Sequence, residues 1–251
     1  MALAPGYRGL FAMKGSIPLA TFTAAAAASL PGADWFRARR AAAAERFGTL
    51  ALPSDAEEVW RYSRINDIDL DRFRPIDPEA PAADDVPDAV AAVIAAAGAR
   101  AALVVLRNGR IVLLEVDAAL ESKGLAVRPL AAEAPEVDAQ LGRAVREQDA
   151  FTTLNDAFAD DGISVFVPAG VAVEHPIVVV HWVDAEGAAV FPRLLVRAGE
   201  GAQVRVVDHV ASPPDTTALV VPVVELDVAD AADVGYLAIQ ELGRKCWQVG
   251  Y

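Results

Sequence analysis

The sequence predicts an α+β N-terminal region followed by an all-β region of short strands, the change falling near residue 150. Three observations carry that prediction. Helix start and stop signals punctuate the chain only as far as Ala159; Asn108-Gly109 sits between two β-rich runs; and beyond Asp160-Asp161-Gly162 the apolar residues come only in short runs.

Residues 1–32 read as a flexible leader. Residues 14–30 have the order of a secretory signal, a positive charge, an apolar stretch and small residues, but Pro18 interrupts it and Arg8 and Lys14 lie deep, so the cytoplasm is the expected location. Met13 is a second candidate start. A helix is then expected from Asp34 as its cap, through Trp35, Phe36, Ala43 and Phe47, to a stop at Gly48. Trp35, Phe36 and Phe47 mark its apolar side, and Arg37, Arg39 and Arg40 a solvated basic face. Ser54 and Glu57 are spaced as a capping box and predict a second helix through Val59 and Trp60. Residues 74–87, with Pro75, Pro78, Pro81 and Pro87, have linker composition.

Residues 88–97 predict an apolar helix closed by Gly98, and residues 101–106 and 111–116 a hairpin about Asn108-Gly109. Helices are expected at 137–148 and 151–159, the latter with Phe151, Leu154 and Phe158 on one buried stripe. Residues 33–150 thus form a mixed α/β region, and residues 151–251 open the β part.

From Ile163 the β runs fall at 163–167, 177–183, 193–197, 202–210, 219–228 and 234–241. No helix of useful length separates them, which excludes a doubly wound sheet, whose parallel strands need crossover helices. Turn signals recur at Pro168-Ala169-Gly170, Gly199-Glu200-Gly201, Pro213-Pro214-Asp215 and Asp230-Ala231-Ala232-Asp233. The stretch from Val196 to Val204 aligns with that from Leu226 to Val234 at an offset of 30: apolar, two variable, small, acidic, small, Ala, polar, Val. A coil of stacked short strands shows such a repeating corner. An antiparallel sandwich with two similar hairpins satisfies the same pattern.

Composition narrows function by exclusion. The 251 residues are 54% hydrophobic and 23% charged, which rules out disorder and collagen-like repeats. A net charge of −13 opposes non-specific nucleic-acid binding. One cysteine, Cys246, excludes an intrachain disulfide framework and a cysteine-rich zinc site. No run of eighteen apolar residues is free of Pro, Gly or charge, so no membrane span is indicated.

Catalytic patterns are missing as well. There is no G-x-S-x-G, H-E-x-x-H or G-x-x-x-x-G-K-[ST], and Gly199-Glu200-Gly201 puts an acid where a phosphate would approach. His181, His209 and Asp208 form a metal site only if neighbouring strands align them; His175, before Pro176, reads as a loop residue. Cys246 beside Trp247 reads as a small buried hydrophobe rather than a thiolate. Paired acids such as Asp84-Asp85 and Asp160-Asp161 read as exposed helix-end chemistry. No catalytic, cofactor-binding or metal-ligating residue is therefore assigned.

Two stretches point further. One is Pro53-Ser-Asp-Ala-Glu-Glu-Val-Trp-Arg-Tyr-Ser-Arg64 with Ile68, Leu70 and Phe73. The other is Phe151-Thr-Thr-Leu-Asn-Asp-Ala-Phe-Ala-Asp-Asp-Gly162, continued by Val165-Phe-Val-Pro-Ala-Gly-Val171 and Pro176-Ile177. Together they resemble the SufB/SufD family of iron-sulfur cluster assembly scaffold proteins, the first stretch looking more like SufD than SufB. Phe191-Pro-Arg193, Ala198-Gly-Glu-Gly-Ala202 and Gln240-Glu-Leu242 also fit, so the resemblance runs from about residue 33 to Tyr251.

The resemblance implies a right-handed parallel β-helix, incomplete here, and a non-catalytic scaffold subunit that pairs with SufB and the ATPase SufC. It implies no cofactor bound by this chain alone, the cluster being handled transiently by the whole complex; charge and hydropathy already argue against a nucleic-acid or membrane partner, and a homodimer stays open. Family members continue past this point into further coils and a C-terminal helical domain that carries the SufC contacts. The chain, which stops at Gln248-Val-Gly-Tyr251, is therefore expected to be a fragment or a truncated product, and none of those later residues can be carried over. The alternatives are a SufB-like paralogue and a secreted β-helical carbohydrate-active enzyme.

Overall fold

Successive β segments lie on one another in parallel, spaced by close to thirty residues. The computed structural model describes residues 21–78, 85–144 and 149–251. The strands are β1 (Arg74–Pro75), β2 (Ala102–Arg107), β3 (Arg110–Val116), β4 (Ala126–Pro129), β5 (Ile163–Val167), β6 (Ile177–Trp182), β7 (Ala188–Val190), β8 (Arg193–Ala198), β9 (Gln203–Ala211), β10 (Ala218–Val220), β11 (Val223–Val228), β12 (Asp233–Glu241) and β13 (Cys246–Gln248). The helices are α1 (Ala24–Ser29), α2 (Asp34–Phe47), α3 (Asp88–Ala97), α4 (Ala118–Glu121) and α5 (Ala150–Phe158).

Three sheets form, ordered β1-β7-β10-β13, β11-β8-β5-β4 and β12-β9-β6-β2-β3. Arg193 pairs with Val223, Gln203 with Asp233 and Ala188 with Ala218, all in parallel and thirty residues apart. These ladders realise the offset read between Val196 and Leu226 and overturn the antiparallel sandwich, since the strands from β6 to β13 hydrogen-bond to the next repeat and not to their neighbours in sequence. The loops absorb the drift: the corner at 242–245 is shorter than that at 212–217, so Ala218 pairs with Cys246. The two antiparallel pairs are β2 with β3 and β4 with β5.

One corner shows how the sequence permits stacking. Gly170, Gly201 and Ala231 take φ of 70°, 64° and 58° at equivalent positions of three successive repeats. The Gly170 N–H donates to Glu200 O at 2.8 Å and the Gly201 N–H to Asp230 O at 2.9 Å, so the turns bond to one another as the strands do. At Gly199 an added Cβ would stand 2.6 Å from the Ala169 backbone nitrogen, which leaves room only for glycine.

Inside the sheets lies an apolar filling of Val104, Val165, Val179, Val196, Val204 and Val206. α3 covers the outer face of one sheet through Val90 against Leu103, Val105, Val178 and Val180. α2 and α5 cover the outer faces of the other two, where Phe36, Phe47, Phe151, Leu154 and Phe158 meet Leu195, Leu219 and Val221. β2, buried on both faces and bonded on both edges, accounts for the unbroken apolar run there. Its hairpin turns at Asn108 and Gly109 with φ of 51° and 90°, as the Asn-Gly signal predicts.

Four expectations need correction. Residues 21–32 are not a loose leader: they hold α1, and Phe22, Ala27 and Leu30 are buried; residues 1–20 lie outside the described residues. Residues 54–63 form successive turns rather than a helix; only half of the capping box exists, Ser54 N–H to Glu57 at 3.0 Å, and the segment instead fastens Trp60 to Tyr251 and Arg64 to Trp247. The 137–148 helix is a 3-10 helix over Pro135–Gln140, and 145–148 fall outside the described residues. The basic face of α2 is solvated at Arg37 but not at Arg39 or Arg40: Arg39 turns to Asp156 and Asp138, and Arg40 is 0% exposed, its guanidinium donating to Ala159 O, Asp160 O and Pro31 O.

Candidate functional site

The richest polar assembly lies at the seam where α2 and α5 meet β8 and β11. α5 starts in a capping box, Asp149 accepting from Phe151 and Thr152 N–H while Thr152 Oγ1 accepts from Asp149 N–H, so the helix begins at a fixed point. This directs Asn155 and Asp156 onto the sheet edge. Asn155 Nδ2 donates to Pro192 O at 2.8 Å and to Val221 O at 2.7 Å, the matching corners of two successive repeats. Asp156 accepts from Arg193 at 2.7 Å, Arg39 at 2.9 Å and Arg46 at 3.3 Å. Arg193 also bonds Glu225, whose carboxylate takes the Gly142 N–H at 2.7 Å.

Every charge in this seam has a counter-charge, which is the condition for burying it. Glu225 is only 2% exposed. Chemically the assembly is a clasp: it binds repeats to helices.

The second assembly lies within the sheets. His181 Nε2 meets Asp208 Oδ1 at 3.2 Å, and Tyr236 donates its hydroxyl proton to Asp208 Oδ2 at 2.8 Å, one side chain from each of three successive repeats. Burial pushes the Asp208 carboxyl up, but the bonds from His181 and Tyr236 and the charge of His209 outweigh it and hold it below the usual carboxylate range. Burial and Asp208 together drive the Tyr236 phenol upward. His209 follows Asp208 on β9 and so faces the other side, where it bonds Glu241 at 2.8 Å. The two histidines and Asp208 therefore do not converge on one point, and among the described residues no group of three or more metal-ligating side chains comes together.

Cys246 is half-buried, its Sγ donating to Thr216 O at 3.2 Å. Next to it a cavity of about 450 Å3 opens between two stacked corners, lined by Ser212, Pro214, Asp215, Glu241, Leu242, Gly243, Arg244 and Lys245. Lys245 and Asp215 stand 3.5 Å apart there. At Gly243 a Cβ would lie 2.6 Å from Pro213 O, so glycine is what lets this corner seat on the one before.

Residue-level reading missed the seam, because Asn155, Asp156, Arg193 and Glu225 are scattered over seventy residues. A signal existed: Glu225 interrupts an apolar β run, on the sheet face that the helices cover, and a buried acid requires a buried base.

Comparison with known proteins bears on both assemblies. Residues 102–179 match a family model described as the SufBD protein N-terminal region, and residues 181–251 one described as the SUF system FeS cluster assembly SufBD core domain. An iron-sulfur cluster assembly SufBD family protein of Synechocystis sp. (strain PCC 6803) is 35% identical over 106 residues, 41% of this chain and 22% of that protein. One from Staphylococcus aureus (strain USA300) is 28% identical over 146 residues, 57% of this chain and 29% of the relative. One from Staphylococcus haemolyticus is 32% identical over 100 residues, 39% and 22% of the two chains. The chain thus matches less than a third of the length of these relatives.

Proposed function

The chain belongs to the SufB/SufD family of iron-sulfur cluster assembly proteins, and on that premise we propose that it serves cluster assembly as a non-catalytic, SufD-like scaffold subunit pairing with a SufB-like subunit and a SufC-like ATPase. The cluster is cargo of the whole complex, and the chain itself carries no resident cofactor. The stacked repeats are read as rungs of a right-handed parallel β-helix, and the cytoplasm as the place of action. No helix among the described residues is long and apolar enough to cross a membrane.

The observation that supports this reading is that the two consecutive family matches span the stacked sheets from β2 to β13, with Asp156, Arg193 and Glu225 of the ion-paired seam inside them. A stack bonded strand to strand at about 4.8 Å per layer is stiff along its axis. Its polar side chains are spent on one another: Asp156 and Glu225 on arginines, Asp208 on His181 and Tyr236. Such a body contributes shape and surface to an assembly whose energy comes from a nucleotide-hydrolysing partner.

The test is co-purification from the native host, with the tagged gene product and size-exclusion chromatography. Co-elution with the SufB-like and SufC-like subunits is expected. Elution without either overturns the reading, and recovery of a SufC-like subunit with a SufD-like one in place of SufB reassigns the chain as the paralogue.

A further inference from the structure

Residues 21–31 are held to the body by little that is directional. α1 has six residues, too few to persist alone. Among the described residues no backbone–backbone hydrogen bond joins residues 21–31 to the rest; the polar ties are Thr21 Oγ1 to Phe73 O at 3.2 Å and Arg40 to Pro31 O at 2.5 Å. What anchors the segment is apolar. Phe22 stands edge-on to Phe158 at 5.4 Å and to Phe191 at 6.2 Å between ring centroids, and Ala27 and Leu30 are buried beside it.

Three buried side chains, one of them alanine, must offset the ordering of eleven residues, which places the segment at the low end of local stability. The floor beneath it has contacts of its own. Phe158 and Phe191 pack on each other at 5.8 Å without help from Phe22, and Arg40 keeps Ala159 O and Asp160 O as acceptors when Pro31 O leaves. The next residue is a glycine in a conformation other residues rarely adopt: Gly32 has φ of 141°, and a Cβ there would sit 3.2 Å from Arg40 Nη1.

We propose that residues 21–31 form a releasable strap, and that the aromatic groove it fills, floored by Phe158 and Phe191, is a docking site for a partner segment of the same chemistry: a short alanine-rich helix presenting one phenylalanine. The strap is the ligand in cis, and its departure makes the site available. This inference does not depend on the scaffold reading.

The test uses the full chain, its Phe22→Ala variant and a labelled synthetic peptide spanning residues 21–32. The variant is expected to keep the wild-type amide-exchange protection of β6 and β9 while the Ala27 and Leu30 amides exchange at least ~10-fold faster. It is expected to bind the peptide at least ~10-fold more tightly than the wild-type chain, whose groove is filled, whereas a peptide carrying Phe22→Ala binds neither chain. Equal affinity of the peptide for both chains, or none for the folded variant, overturns the docking site. Loss of β6 and β9 protection in the variant overturns the strap, because the segment is then part of the cooperative fold.

Discussion

Asp156 accepts a hydrogen bond from Arg193 at 2.7 Å with the two side chains 6% and 4% exposed, so helix α5 and strand β8 are joined by a charge pair sealed from water. Arg39 and Arg46 reach the same carboxylate from α2, and Glu225 holds the other end of Arg193 from the next repeat. Removing Asp156 leaves Glu225 to balance the buried Arg193 and takes from Arg39 its buried partner. Asp156→Ala is expected to destabilise the fold by about 3–5 kcal/mol, the usual cost of leaving a buried charge uncompensated. Urea denaturation followed by tryptophan fluorescence measures it; a loss below about 1 kcal/mol would put the pair in the range of exposed ones.

The neighbouring Asn155 does different work. Its amide donates to Pro192 O and Val221 O and so ties the corner of one repeat to that of the next. Asn155→Leu keeps the volume and removes both donors; Pro192 O keeps the Val223 N–H, while Val221 O loses its side-chain partner, at a cost of about 1–3 kcal/mol. The loss is local to the corners: amide exchange at Val221 and Val223 should accelerate more than exchange at Val179. Uniform acceleration would mean that the change acts through the helix instead.

How far these features were legible depends on their range. The Asn108-Gly109 hairpin and the stop at Gly98 are local backbone demands, and the sequence states them. The thirty-residue offset was legible because stacked corners impose the same small-acidic-small pattern twice, at Gly199-Glu200-Gly201 and Ala229-Asp230-Ala231. The basic face of α2 was misread, since arginine spacing alone does not reveal that Ala159 O and Asp160 O lie beneath Arg40. The turns at 54–63 defeat a capping-box signal because Trp60 and Arg64 gain Tyr251 and Trp247, residues nearly two hundred positions away. Short β7, β10 and β13, of three residues each, carry too little pattern to separate from loops.

The stacked corner offers a pair of opposite predictions. Ala231 holds a φ of 58°, where the equivalent residues Gly170 and Gly201 have no Cβ to strain. Ala231→Gly should therefore stabilise by about 0.5–1 kcal/mol, the relief of the left-handed penalty less the entropy glycine adds to the unfolded chain. Gly199→Ala should destabilise by about 1–3 kcal/mol, because its methyl would crowd the Ala169 backbone at 2.6 Å. Thermal unfolding of both variants checks the sign of each; a destabilised Ala231→Gly would show that the alanine methyl is needed where it packs.

The last prediction concerns pH. Asp161 sits between α5 and β5; burial pushes its carboxyl up to about 6, against the Gly162 N–H, which donates to it at 2.8 Å, and with the help of the adjacent Asp160 charge. A carboxyl that holds its proton more tightly folded than unfolded contributes stability in full below the unfolded value, about 3.9, and loses that contribution as pH rises through about 6. Asp161→Asn removes the titrating group while keeping an oxygen for the Gly162 N–H. The variant should therefore gain on the wild type steadily between about pH 4 and 6.5 and hold a constant advantage above that. Urea midpoints of both proteins at pH 4, 5.5 and 7 make the comparison, and every other carboxylate cancels in the difference. Parallel curves across that window would place the Asp161 carboxyl back at its ordinary value, leaving Arg40 alone to balance the helix end.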